Sequence, residues 1–174
     1  MGSAAVLVAV KKVKGRNMLN DTLKTGVSIN LKFIKMIKVF KGTSSYSSDV
    51  ICNLNDDKIH KGTSTYSSDV ICNIDDNKIY KGTSSYSSDV LYNISSGKVY
   101  EGTSSYSSDI VMTIKDGKIY KGTSSYSSDV IATINSGKVY TGNSSYSSDI
   151  QFNIDGSVTI EEFVAIWHAV KHTY

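Results

Sequence analysis

Six aspartates at identical spacing, Asp49, Asp69, Asp89, Asp109, Asp129 and Asp149, are the residues in this chain whose pattern most suggests chemistry. Carboxylates brought to a common centre can hold a cation or a cationic ligand, and their mutual repulsion raises their pKa values unless a counter-ion is present. Three residues ahead of each stands a tyrosine: Tyr46, Tyr66, Tyr86, Tyr106, Tyr126 and Tyr146. Large rings with a polar tip can build a wall for a sugar, a lipid or a peptide. Both series are therefore candidate ligand-binding residues. A plainer role competes with each. An aspartate ahead of a strand accepts hydrogen bonds from nearby backbone N–H groups in an Asx-type turn. A tyrosine at a repeat boundary is expected to pack between neighbouring units and tie its hydroxyl to backbone.

Other reactive side chains are sparse. His168 and His172 have the i, i+4 spacing that can bind a metal, but no third ligand accompanies them, and cationic histidine is favourable near a helix C-terminus in any case. Cys52 and Cys72 occupy a repeat position that other units fill with Tyr92, Met112, Ala132 and Phe152, so buried reduced thiols are expected. The stretch from Gln151 to Glu162 fits a calcium-binding loop in part, with Asn153, Asp155, Gly156 and Glu162 in place. Its first position is Gln151 rather than aspartate, and an Asp-Gly turn followed by a helix cap accounts for the same residues. Serine is abundant without a nucleophile elbow or a glycine-rich phosphate loop. Identical repeats also supply few unlike groups to one pocket. A non-enzymatic protein without cofactor or metal is the expectation.

What must position these residues is a tandem array. The octapeptide GTSSYSSD at Gly42–Asp49 returns at Gly62, Gly82, Gly102 and Gly122 with at most one Thr-for-Ser change, and at Gly142 as GNSSYSSD, always 20 residues on. Between copies, DVLYNISSGKVYEG (Asp89–Gly102) places Val90, Tyr92 and Ile94 on one face of a strand. A second short strand carries Val99 and Tyr100. A three-residue loop joins them. Its last position calls for a left-handed conformation, supplied by Gly97, Gly117 and Gly137 and tolerated by Asp57 and Asn77. The face bearing Val50, Leu54, Val70, Ile74, Val90, Ile94, Ile110, Ile114 and Ile154 is expected to be buried. The opposite face, with Asn53, Asn73, Asn93, Thr113, Thr133 and Asn153 beside Ile51, Leu91 and Ile131, is expected to be partly covered. Tyr80, Tyr100, Tyr120 and Tyr140, with Phe40 and His60 in the same slot, are expected between units.

A lone hairpin is marginal in water, so the units must bury their apolar faces together. Nearly identical units without distinctive end caps favour closure over an open stack, whose edges invite aggregation. The expected fold is all-β: six 20-residue β-hairpin repeats closed radially into a shallow barrel or flower. A C-terminal amphipathic helix, begun by the capping box Thr159-Ile-Glu-Glu162 and carrying Phe163, Ile166, Trp167 and Val170, is expected at the centre. The domain organisation is a basic leader or appendage over 1–35, a hairpin-repeat domain over 36–160 and a helix of the same domain over 161–174. Residues 1–40 carry a charge of +7 and residues 41–160 one of −3, so a nucleic-acid footprint spread over the fold is disfavoured. The lysines of the leader can meet an anionic membrane surface. The apolar run Ala4–Val10 is too short to span a bilayer, and a cytoplasmic location is expected.

The KIYKGTSSYSSDVI pattern, as at Lys118–Ile131, and the closing DGSVTIEEFVAIWHAV, Asp155–Val170, resemble the β-flower proteins, whose hairpins radiate around a central axis. The resemblance covers Met36 to the C-terminus and implies the radial closure without implying an activity. A looser likeness is to tubby-like domains, closed barrels around an apolar helix that bind membrane phosphoinositides, although the array lacks a comparable Lys/Arg cluster. A binding or scaffold module follows as the expected function, with a central or rim site for an apolar or mixed ligand: a small molecule, a lipid or a protein. The alternative is a membrane-associated, lipid-binding module of the tubby-like kind.

Overall fold

Each unit of the array forms two antiparallel strands because the alternation of β-branched and polar residues suits a pleated, half-buried surface. In the computed structural model, which describes residues 36–173, this yields twelve strands, six single-turn 3-10 helices that end the octapeptides, and one α-helix. In chain order the strands are β1 (Met36–Lys41), β2 (Val50–Asn55), β3 (Lys58–Lys61), β4 (Val70–Asp75), β5 (Lys78–Lys81) and β6 (Val90–Ser95). They continue with β7 (Lys98–Glu101), β8 (Ile110–Lys115), β9 (Lys118–Lys121), β10 (Val130–Asn135), β11 (Lys138–Thr141) and β12 (Ile150–Ile154). The helix α1 spans Ile160–Thr173. The basic segment 1–35, and with it the expectation of a membrane contact, lies outside the described residues.

All twelve strands form one closed antiparallel barrel in which every strand pairs with its sequence neighbours and β1 pairs with β12. That last pairing sets Val39 against Ile154, Phe40 against Asn153 and Lys41 against Phe152. Inside the array, β2 and β3 pair Leu54 with Ile59, Asn53 with His60 and Cys52 with Lys61, which is the same register. The sixth hairpin is thus assembled from the first and last strands, and no edge is left open to template aggregation.

The hairpin tips differ from the sequence expectation. Ser95 pairs directly with Lys98, so the loop is two residues, Ser96 and Gly97, and both have positive φ, 51° and 74°. Positive φ at both central residues marks a type I′ turn, whose twist matches that of the flanking strands. In the first two hairpins the left-handed residue is Asp56 (φ 58°) and Asp76 (φ 50°), not Asp57 and Asn77. Gly97 is dictated by space as well as by φ, since a Cβ there would stand 2.5 Å from the carbonyl oxygen of Ile114.

A bulge at each junction between hairpins also corrects the expected core. Val39 pairs with Cys52 but Phe40 with Val50, so Ile51 is an extra residue on the long strand, and the same slip recurs at Ile59/His60, Ile79/Tyr80, Val99/Tyr100 and Val139/Tyr140. Val50, Val90 and Ile110 are buried as expected, but the slip takes them and their equivalents out of the central cluster, to pair instead with the series Phe40, His60, Tyr80, Tyr100 and Tyr140. Val39, Ile59, Ile79, Val99, Ile119 and Val139 line the interior with no exposed surface, together with Cys52, Cys72, Leu54 and Phe152, and Ile94 is buried beside them.

The helix fills what remains. Thr159 N–H donates to Glu162 Oε2 at 2.8 Å and Glu162 N–H to Thr159 Oγ1 at 3.3 Å, which is the capping box read from the sequence. Phe163, Val164, Ala165, Ile166, Trp167, Ala169 and Val170 are all buried. Such a run covers every azimuth of a helix at 3.6 residues per turn, so α1 is surrounded rather than laid on one face. Cys72 lies 3.7 Å from Ala165 O, Tyr92 meets His168, and Lys171 reaches Gln151. The helix therefore runs inward from the hairpin tips and emerges at the end where the serine-rich loops lie. None of the described helices is long and apolar enough to cross a membrane.

Candidate functional site: the serine and tyrosine rim

Each octapeptide forms a loop that links one hairpin to the next, and its chemistry is internal. Gly42 takes φ 53° and donates its N–H to Gln151 O at 3.0 Å; Ser44 N–H then donates to Lys41 O at 3.0 Å, turning the chain. Tyr46 N–H donates to Ser44 Oγ at 3.2 Å, while the Ser44 hydroxyl donates to Asp49 Oδ2 at 2.5 Å. Asp49 N–H closes the last turn on Tyr46 O at 3.0 Å. The same set recurs around Ser64, Ser84, Ser104, Ser124 and Ser144. The aspartates accept from the second hydroxyl of the motif, not from backbone N–H groups as an Asx turn would require. Asp109 accepts from Ser104 and also from Ser108, and these bonds hold its carboxyl below the usual carboxylate range, the reverse of what a repelling ring would cause. Among the described residues no three His, Cys, Asp or Glu side chains come together to hold a metal.

A second clamp comes from the neighbouring strand. Asn53 Nδ2 donates to Gly62 O at 2.9 Å and Ser64 O at 2.8 Å; Asn73 and Asn153 bind their loops in the same way. Thr113 and Thr133 replace asparagine with one bond each, to Gly122 O and Gly142 O at 2.7 Å. The polar face of the long strands is covered in this manner by the loops. Asn153, assigned a place in the calcium-loop pattern, donates its Nδ2 to Gly42 O and Ser44 O in this clamp.

The tyrosines are where the structure departs most from expectation. Tyr46, Tyr66, Tyr86, Tyr106, Tyr126 and Tyr146 are 74–75% exposed and do not pack between units. Their backbone is fixed by the serine and aspartate bonds, which leaves each ring projecting from a rigid stem. The neighbouring series does pack: Phe40, His60, Tyr80 and Tyr140 are buried against the bulged strands. Sequence periodicity alone could not separate the two series, because both recur every 20 residues. The distinguishing signal is the setting, since Tyr80 lies within an alternating apolar strand and Tyr46 among four serines.

The barrel centre holds no open site among the described residues, since α1 occupies it. Cys52 and Cys72 are free and wholly buried there, and burial pushes both thiols up to about 12. Neither is a nucleophile near neutral pH. His168 is half-buried against Tyr92 and stacked on His172 with ring centres 4.1 Å apart, and burial followed by the charge of His172 lowers its pKa to about 4.

Comparison with known proteins agrees with this architecture. No curated protein and no solved structure matches the chain. The family model described as 6-fold beta flower protein matches residues 31–167, a span that holds all twelve strands and the helix as far as Trp167. With six hairpins closed by pairing of β1 with β12 around one helix, the chain belongs to the 6-fold beta flower family.

Proposed function

We propose that this protein is a non-catalytic binding module whose site is the rim of six serine and tyrosine loops. The observation that carries the reading is the uniform exposure of six tyrosine rings on loops whose backbone is pinned by Ser–Asp and Asn clamps. Exposed aromatic rings usually cost solubility without return, whereas Tyr, Ser, Gly and Asn together make an adaptable binding surface. Tyrosine gives rigid amphipathic contact area and serine gives hydrogen bonds. Six copies on one closed barrel multiply a weak contact into avidity for an extended or repetitive partner of mixed polar and apolar character, such as a polysaccharide or a polar peptide. Filling of the centre by α1 favours this rim over a central ligand. The aspartates support the loops and leave recognition to the rings.

The test is an array of immobilised polysaccharides and peptides probed with the wild type and with variants carrying two, four or six of these tyrosines changed to serine. Binding that falls steeply with each pair removed supports the rim. The same profile for wild type and six-fold variant, an empty profile included, overturns it. The +7 charge of residues 1–40 favours a second reading, association with an anionic membrane surface. Vesicle sedimentation of the full chain against a chain begun at Met36 decides that reading, and equal sedimentation of the two removes it.

A further inference from the structure

The six-fold pattern breaks at one place on the loop end of the barrel. The bulged position holds Ile51, Ile71, Leu91, Val111 and Ile131 in five units but Gln151 in the sixth. Here the end of α1 emerges, and a cavity of about 310 Å³ is lined by Lys41, Ile51, Gln151, Val170 and Lys171. Its floor is apolar, since Ile51 and Val170 are buried members of the core. Its walls are cationic. Lys171 Nζ donates to Gln151 Oε1 at 2.7 Å and stands 4.7 Å over the ring of Trp167, so this ammonium is held in place by an amide and an aromatic face. Because Oε1 of Gln151 accepts from lysine, its amide NH₂ remains available as a donor.

From this geometry we infer a binding site for a small anionic amphiphile, a carboxylate head on a short apolar chain. Two ammonium groups and one amide would receive the head, and Ile51 and Val170 the chain. Among the described residues no carboxylate forms an ion pair with Lys41 or Lys171. A volume of 310 Å³ lies at the small end of ligand pockets, roughly 300–1,000 Å³, and so selects short chains. The site is independent of the tyrosine rim and uses none of its six rings.

Trp167 is the single tryptophan of the chain, so the site carries its own reporter. Titration of the full chain with octanoate should change Trp167 emission saturably. Octan-1-ol, which lacks the charge, and acetate, which lacks the chain, should each bind at least tenfold more weakly. Lys41→Gln and Lys171→Gln should each weaken octanoate at least tenfold, with calorimetry read in parallel because Lys171→Gln also alters the reporter's surroundings. Lys61→Gln, the equivalent of Lys41 one unit on, should leave affinity within twofold. Both target lysines are exposed, so the variants are expected to keep the fold. Equal affinity for octanoate and octan-1-ol, equal effects of Lys41→Gln and Lys61→Gln, or a response that never saturates would each overturn the proposal.

Discussion

Tyr92 Oη and His168 Nδ1 share a hydrogen bond of 3.2 Å, with the two rings edge to face at 5.5 Å between centres. The pairing holds His168 half-buried between the barrel wall and the helix, and that burial makes stability depend on pH. His168 titrates at 6.5 as a free side chain and at about 4 when folded, through burial first and the charge of His172 second. Between those values the unfolded chain binds the extra proton, so stability is complete above about 6.5 and declines as pH falls toward 4. Urea midpoints measured from pH 7.5 to pH 4 should fall across that window. The His168→Gln variant should lose part of the slope. Parallel profiles for variant and wild type would show that this histidine does not couple folding to protons.

The Ser–Asp clamp makes a quantitative prediction for the loops. Ser84→Ala and Asp89→Ala each remove the 2.6 Å bond within one loop, and each should cost about 1 kcal/mol, the usual net worth of a hydrogen bond. The double variant should cost little more than either alone, because the partners share one interaction. Additive losses in a denaturant double-mutant cycle would contradict the clamp.

His60 offers a stabilising substitution. It occupies the slot that Tyr80, Tyr100, Tyr120 and Tyr140 fill elsewhere, is buried, and has no partner for Nδ1. An unsatisfied buried polar atom costs roughly 1–3 kcal/mol. His60→Tyr should therefore raise the urea midpoint by the equivalent of about 1 kcal/mol, and a lower midpoint would mean that the first unit has a differently shaped slot.

The helix should be indispensable to the barrel. Ile166 is fully buried, and shortening such a residue to alanine typically costs about 2–5 kcal/mol. Ile166→Ala should destabilise within that range, and deletion of residues 161–174 should expose the lined interior to a hydrophobic dye. A deletion variant with unchanged melting temperature would mean that the strands close without their filling.

Much of this architecture was legible because repetition fixes symmetry: six equivalent hairpins, a Thr159-to-Glu162 cap and an apolar helix leave few ways to bury their surfaces. The bulge was not legible. Val90, Tyr92 and Ile94 alternate cleanly in sequence, yet the extra residue at Leu91 separates Val90 from the core that Ile94 joins. The tip turns were misplaced by one residue because Asp56 and Asp57 both tolerate positive φ, and only the register of Asn55 with Lys58 selects between them. A repeated aromatic ordinarily signals packing between units, and the sequence of Tyr46 and its copies carries that signal. Their exposure follows from a loop that satisfies its own backbone through Ser44 and Asp49 and has no need of the ring.

The join between β1 and β12 repeats the register of every internal hairpin, so the seam itself carries no information about how many units it joins. Hairpins of this kind could meet end to end after five copies or seven. The interior of a barrel widens with strand number, and a helix with its side chains is about 10–12 Å across. Twelve strands enclose α1 with Phe163 through Trp167 buried on all sides. The helix is thus the gauge of the ring: it rewards one circumference and leaves voids or clashes in the others. Excision of one whole repeat, residues 82–101, should leave every remaining strand pairing possible and still fail to give a stable monomer, because the count is kept by the contents and not by the wall.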